Sequence, residues 1–146
     1  VEGATGNVNT NYAGKAAAAI GAFRRGLDYV YVHVEAPDEC GHRAELENKI
    51  LSIEKIDSEI LKPVYEYLAA SGEDFRMLVL PDHPTPVRLR THTSQPVPFF
   101  IYCSDRSYPG VPCFCEESAA EKQFYLPEGW HLMDLLMNPS GERTNA

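Results

Sequence analysis

With 146 residues, 44% of them hydrophobic, the chain has enough apolar material for one packed domain, yet no apolar run nears the ~20 residues of a membrane span. A formal net charge of −8 with no basic stripe argues against nucleic acid as a partner, and an anionic ligand would need local help from metals or a few arginines. No secretory leader is visible, so Cys40, Cys103, Cys113 and Cys115 read as reduced thiols of a cytoplasmic protein.

The stretch Val1-Glu2-Gly3-Ala4-Thr5-Gly6 is loop-like and reads as the interior of a longer polypeptide. Residues 11–25 are alanine-rich, open on an Asn or Thr cap candidate and close on arginines before Gly26, which predicts a helix. Residues 28–35 are β-branched and aromatic, which predicts a strand with Tyr29, Tyr31, His33 and Glu35 on one face and Val30, Val32 and Val34 on the other. Next, Pro37-Asp38-Glu39-Cys40-Gly41-His42 places an aspartate on the loop leaving that strand and a histidine at the opening of a helix. Gly41 would let the backbone turn tightly between them.

From residue 43 to about residue 70, Leu46, Ile50, Ile53, Ile56, Ile60, Leu61 and Val64 recur at helical spacing, with Pro63 expected to kink or divide the helix. Residues 75–80 form a short buried strand that runs into Pro81-Asp82-His83. A polar excursion over residues 85–90 returns the chain to Thr91-His92-Thr93, and residues 96–103 form another strand. Residues 105–112 are a turn-rich loop, residues 116–124 and 129–137 are short helices, and residues 138–146 are a polar tail expected to fray. The order describes half of an α/β sandwich, without a repeat or a dividing linker, and further strands are expected to complete its sheet.

Asp38, His42, Asp82, His83 and His92 lie on three separated segments, each at or just after the end of a strand-like run. In open α/β sheets, ligand sites form at the carboxyl ends of strands. Two carboxylates and three imidazoles are a hard-to-borderline set suited to Mn²⁺, Zn²⁺, Fe²⁺ or Co²⁺, and they suit two cations better than one. Asp82 and His83 are consecutive, so a local bend is needed for both to meet one metal. A single Asp or His in a loop is more often a cap or a solvated residue; the combination carries the specificity. His33 and Glu35 are equally explained as groups orienting the ligands or as ordinary sheet residues. Arg88, Arg90 and Lys15 read as solvated, and His131 has no assigned role.

These segments resemble the alkaline phosphatase superfamily and, within it, the cofactor-independent (2,3-bisphosphoglycerate-independent) phosphoglycerate mutases of archaeal type. The resemblance runs over residues 1–137. It is carried by Gly3-Ala4-Thr5-Gly6 with Asn11-Tyr12 and Lys15, by His33 through His42, by Leu80 through Pro86, by Arg90-Thr91-His92-Thr93 and by Pro96-Val97-Pro98-Phe99. It implies a three-layer sandwich with helices on both faces of a mixed, mostly parallel sheet, of which residues 1–137 are the C-terminal portion.

It also implies two divalent cations, Mn²⁺ foremost, with Zn²⁺, Co²⁺, Fe²⁺ or Mg²⁺ as alternatives. Asp38, His42 and His92 would hold one, and Asp82 with His83 the other. The implied chemistry exchanges 2- and 3-phosphoglycerate through a phosphoserine in the intact protein. The serine nucleophile and a further aspartate lie outside the matching segments and are expected upstream, in the remainder of the same polypeptide. The chain alone is then expected to be inactive. The alternatives are another phosphohydrolase of the superfamily, or a non-catalytic metal-binding fragment. No nucleic acid or membrane partner is expected.

Overall fold

Asn11 opens the first helix by accepting the Gly14 N–H on its side chain at 2.8 Å. The helix α1 (Tyr12–Arg24) buries Tyr12, Ala16, Ala19 and Ala22, a stripe at helical spacing. The computed structural model describes residues 1–107 and 109–138, and from residue 139 the expected polar tail lies outside the described residues. Two compact units share the chain, residues 1–73 with 83–95 and residues 74–82 with 96–146. They interleave along the sequence, so no linker marks the division.

In the first unit, the strand expected over residues 28–35 does not form. The one sheet among the described residues is two-stranded and lies elsewhere in the sequence. Without a ladder partner, β-propensity alone cannot satisfy a strand's backbone. The predicted facing survives: Val30, Val32 and Val34 are half-buried, while Tyr29, Tyr31, His33 and Glu35 are exposed. Val32, Val34 and Ile56 pack on a core of Tyr12, Ala36 and Ile60. The Lys15 ammonium donates to the His33 carbonyl at 2.7 Å and ties this segment to α1.

A seven-residue helix, α2 (Ala36–His42), follows at once, with proline in its first turn, where a missing N–H is harmless. Asp38 is therefore on a helix rather than a loop, and His42 closes a helix rather than opening one. Gly41 is needed for proximity rather than for a turn. A Cβ there would stand 2.5 Å from the Thr85 carbonyl oxygen.

The long helical pattern divides as expected, into α3 (Leu46–Ile56) and α4 (Lys62–Ser71) around a π-helical segment, Asp57–Leu61. The Lys62 N–H bonds to the Asp57 carbonyl, five residues back. This wider turn accommodates Pro63, which has no N–H and whose ring would strike the carbonyl four residues earlier in a regular α-helix. α4 stops at Gly72, whose φ of +76° suits a residue without Cβ. Ile60 and Val64 are buried as the pattern predicts, but Leu46, Ile50 and Ile53 are exposed. α3 instead buries Ser52 and turns Lys49 toward the loop of residues 83–95.

The second unit pairs β1 (Arg76–Val79) with β2 (Phe100–Cys103) antiparallel, Arg76 facing Cys103 and Val79 facing Phe100. These are the cores of the two expected strands; the parallel pairings of a sandwich are not among the described residues. Phe75 packs on Tyr102 at 5.5 Å between ring centroids, and the Ser104 hydroxyl accepts the Phe75 N–H at 2.8 Å. Two short helices, α5 (Glu116–Glu121) and α6 (Leu132–Met137), complete the unit. The Arg76 guanidinium caps α6 by donating to the Leu136 and Met137 carbonyls at 3.0 and 2.6 Å. No helix among the described residues is long and apolar enough to cross a membrane.

Candidate metal centre

On α2, Asp38 and His42 are four residues apart and share a helix face, with the His42 Nε2 3.4 Å from the Asp38 Oδ2. The third member comes from the loop of residues 83–95. That loop is closed by the Thr93 N–H donating to the Pro84 carbonyl at 3.1 Å and is turned internally by Leu89 and Arg90 N–H bonds to Pro86, both 2.9 Å. It brings the His92 Nε2 to 3.0 Å from the His42 Nε2 and 3.2 Å from the Asp38 Oδ1. One ligand atom from each of these residues lies within 4.8 Å of the others. A tetrahedral cation with bonds of about 2.0–2.1 Å spaces its ligand atoms roughly 3.3 Å apart; the two imidazole nitrogens stand near that spacing, each facing a different Asp38 oxygen.

The tautomer of His42 follows from its other nitrogen. Nδ1 lies 3.0 Å from the Arg90 carbonyl, which can only accept, so Nδ1 carries a proton and it is Nε2 that holds the lone pair in the neutral ring. Arg90 has a φ of +55°, and this backbone conformation belongs to the turn that offers its carbonyl to His42. Two imidazole nitrogens and a carboxylate converging in this way call for a proton or a cation among them. The set, partly exposed and with three protein ligands, fits a divalent cation that keeps open positions.

Burial pushes the Asp38 carboxyl up. The Thr85 hydroxyl bonded to it and the His42, His92 and His83 imidazoles outweigh that, and its pKa lies below the ordinary carboxylate value. His83 belongs to the same cluster. Its Nδ1 is 4.0 Å from the Asp38 Oδ1, and its ring centroid is 3.7 Å from that of His92. The expected bend is present at residues 82–83. Asp82 falls in the second unit and is exposed.

Outside this cluster, His33 Nε2 faces Glu35 Oε1 at 3.8 Å, with both side chains at least half exposed. His131 bridges Asp134 and Glu128 at 2.9 and 3.3 Å in the second unit. All four cysteines are free thiols, and Cys40 is fully buried.

Three participants escaped the sequence reading: the Thr85 side chain, Lys49, and the Arg90 carbonyl. The Lys49 ammonium donates to the Thr85 carbonyl at 2.7 Å. None carries a sequence signal, since a loop threonine, a helix lysine and a backbone oxygen are all commonplace.

An α/β chain with a histidine–carboxylate group shaped for a divalent cation belongs among metal-dependent proteins. Sequence comparison agrees: residues 1–139 match the family model of the Metalloenzyme superfamily, and the chain belongs to that family. It is 49% identical over 138 residues to the 2,3-bisphosphoglycerate-independent phosphoglycerate mutase of Methanosarcina acetivorans and 46% identical over 138 residues to that of Methanosarcina mazei. Each match covers 94% of this chain but 34% of the relative, so the chain spans about a third of these proteins. Among solved structures, the PH0037 protein from Pyrococcus horikoshii superposes with a TM-score of 0.80 at 26% identity, over 99% of this chain and 43% of that one.

Proposed function

We propose that these residues form one part of a metal-dependent phosphoryl-transfer enzyme, a cofactor-independent phosphoglycerate mutase that interconverts 2- and 3-phosphoglycerate through a phosphoserine. The convergence of Asp38, His42 and His92 on one cation-sized space carries the proposal. The phosphoglycerate mutase activity for which the Methanosarcina relatives are named supports the substrate. In the intact protein the sheet extends into a three-layer sandwich, and the serine nucleophile comes from elsewhere in the polypeptide.

Asp38, His42 and His92 would hold one cation, with Asp82 and His83 contributing to a second, and Mn²⁺ is the foremost candidate for both. Bound there, a divalent cation lowers the pKa of a hydroxyl nucleophile and neutralises phosphate charge. That charge would admit a phosphorylated acid to a protein whose net charge is −8. The chain's own part is to hold one lone pair of His42 inward through the Arg90 carbonyl and to keep the Asp38 carboxylate ionised. The protein is expected to act in the cytoplasm.

A coupled assay of this chain and of a longer polypeptide carrying it tests the proposal. Mutase activity in the longer form, lost in Asp38→Asn and His92→Ala, is expected, with no turnover by the chain alone. Release of inorganic phosphate without isomerisation would replace the mutase by a phosphohydrolase. An inactive longer form that binds no metal would overturn the reading.

A further inference from the structure

Thr85 is 4% exposed although it sits between two prolines in a loop, and three contacts meet on it. Its hydroxyl donates to the Asp38 Oδ1, a partner 47 residues away. Its carbonyl accepts the Lys49 ammonium at 2.7 Å, from α3. Beside it α2 approaches so closely that a Cβ on Gly41 would stand 2.5 Å from the same carbonyl oxygen. Two helices therefore fix the backbone of Thr85, and the fixed backbone aims its side chain.

The aim matters because a carboxylate rotates freely about its last torsion unless something selects a rotamer. The Thr85 hydroxyl occupies one lone pair of Oδ1. The carboxylate plane is then set with Oδ2 toward His42 Nε2 at 3.4 Å, while Oδ1 keeps its remaining lone pair toward His92 Nε2 at 3.2 Å. A threonine hydroxyl in a loop usually bonds a neighbouring backbone group. Here it is committed to a residue on another element. His83 Nδ1 lies 3.4 Å from the same hydroxyl oxygen, which links the third imidazole of the cluster to the device.

We propose that Thr85 is a positioning residue for the cation site: its hydroxyl orients the Asp38 carboxylate toward the metal, and Lys49 and Gly41 hold Thr85 where it can do so. The inference rests on the metal-binding reading of Asp38, His42 and His92. Groups that orient metal ligands in this way are worth about 10–100-fold in affinity.

The test is calorimetric titration of the chain with Zn²⁺ and with Mn²⁺, comparing wild type, Thr85→Val and Thr85→Ser, with thermal midpoints of the metal-free proteins measured alongside. Thr85→Val keeps the side-chain shape and loses the donor, so its affinity should fall by about 10–100-fold. Thr85→Ser keeps the donor and should bind like wild type. Equal affinity for wild type and Thr85→Val would overturn the positioning role and leave the metal site standing. A wild type that binds neither cation would overturn the site itself, and this inference with it. A measurement on the unaltered chain covers the case in which Thr85→Val does not fold. By NMR, the Thr85 hydroxyl proton should exchange slowly and couple to the Asp38 carboxyl carbon; a freely exchanging hydroxyl would overturn the proposal.

Discussion

Each unit contains a histidine clamped by carboxylates, and the two clusters differ in where their partners come from. His131 takes Glu128 and Asp134, each three residues away, and all three side chains are exposed. His42 takes one local partner, Asp38, and then the Arg90 carbonyl and the His92 imidazole from 48 and 50 residues away. The local cluster is an ion pair that any helix end can make. In the other, long-range contacts choose the tautomer of one imidazole and place a second against it, and a buried threonine sets the carboxylate. Local spacing supplies charge; convergence from a distance supplies a ligand geometry.

The largest expected effect separates the two clusters outright. Asp38→Ala should remove the equivalent of Zn²⁺ held by Asp38, His42 and His92 in a calorimetric titration, because the two imidazoles left at that site fall short of the three protein ligands of a catalytic site. His131→Ala should leave that binding unchanged. Equal losses in both would erase the distinction.

A second substitution probes the close approach that holds the long-range cluster together. Gly41→Ala pushes a Cβ to 2.5 Å from the Thr85 carbonyl. Overpacking of this kind costs about 1–3 kcal/mol, and at this chain length each kcal/mol lowers the thermal midpoint by roughly 2–4 °C. Scanning calorimetry should register the drop, and an unchanged midpoint would mean that α2 and the loop are not in contact.

A smaller loss is expected away from both clusters. Asn11→Ala removes the cap that accepts the Gly14 N–H and should cost about 1 kcal/mol by urea unfolding. Asn11→Asp should restore most of it.

The smallest effect is a pH dependence at the local cluster. The hydrogen bond to Asp134 raises the His131 pKa above its ordinary 6.5, desolvation opposes this, and the charges of Asp134 and Glu128 add to the rise. Because the folded value is the higher one, the stabilisation is fully present below pH 6.5 and is lost as pH rises through the folded pKa. Imidazole NMR should show His131 titrating above the ordinary value, and Asp134→Asn should bring it down.

How much of this was legible in the sequence depends on the range of the interaction. The cap and the extent of α1, the break near Pro63 and the two strand cores follow from local preference and period, and they form as read. The alternation of Val30, Val32 and Val34 against their exposed neighbours was legible too, but not whether the segment would pair, since a ladder needs a partner that local sequence does not name. The apolar stripe of α3 misled for a related reason: periodicity marks a face, not what covers it, and Leu46, Ile50 and Ile53 stay exposed. The residue types at Asp38, His42 and His92 were readable as candidate ligands. Their grouping, and the inclusion of His83 beside Asp38, depend on how the loop of residues 83–95 folds back. Thr85 and Lys49 act through contacts 47 and 36 residues away, beyond any motif's reach.

The most direct test is anomalous diffraction from crystals of the chain soaked with Mn²⁺ or Zn²⁺. The account predicts a peak bounded by the Asp38 carboxylate and the Nε2 atoms of His42 and His92. A well-ordered crystal with these side chains in place and no peak among them, or with the cation bound elsewhere, would contradict the claim that three separated segments build one metal site.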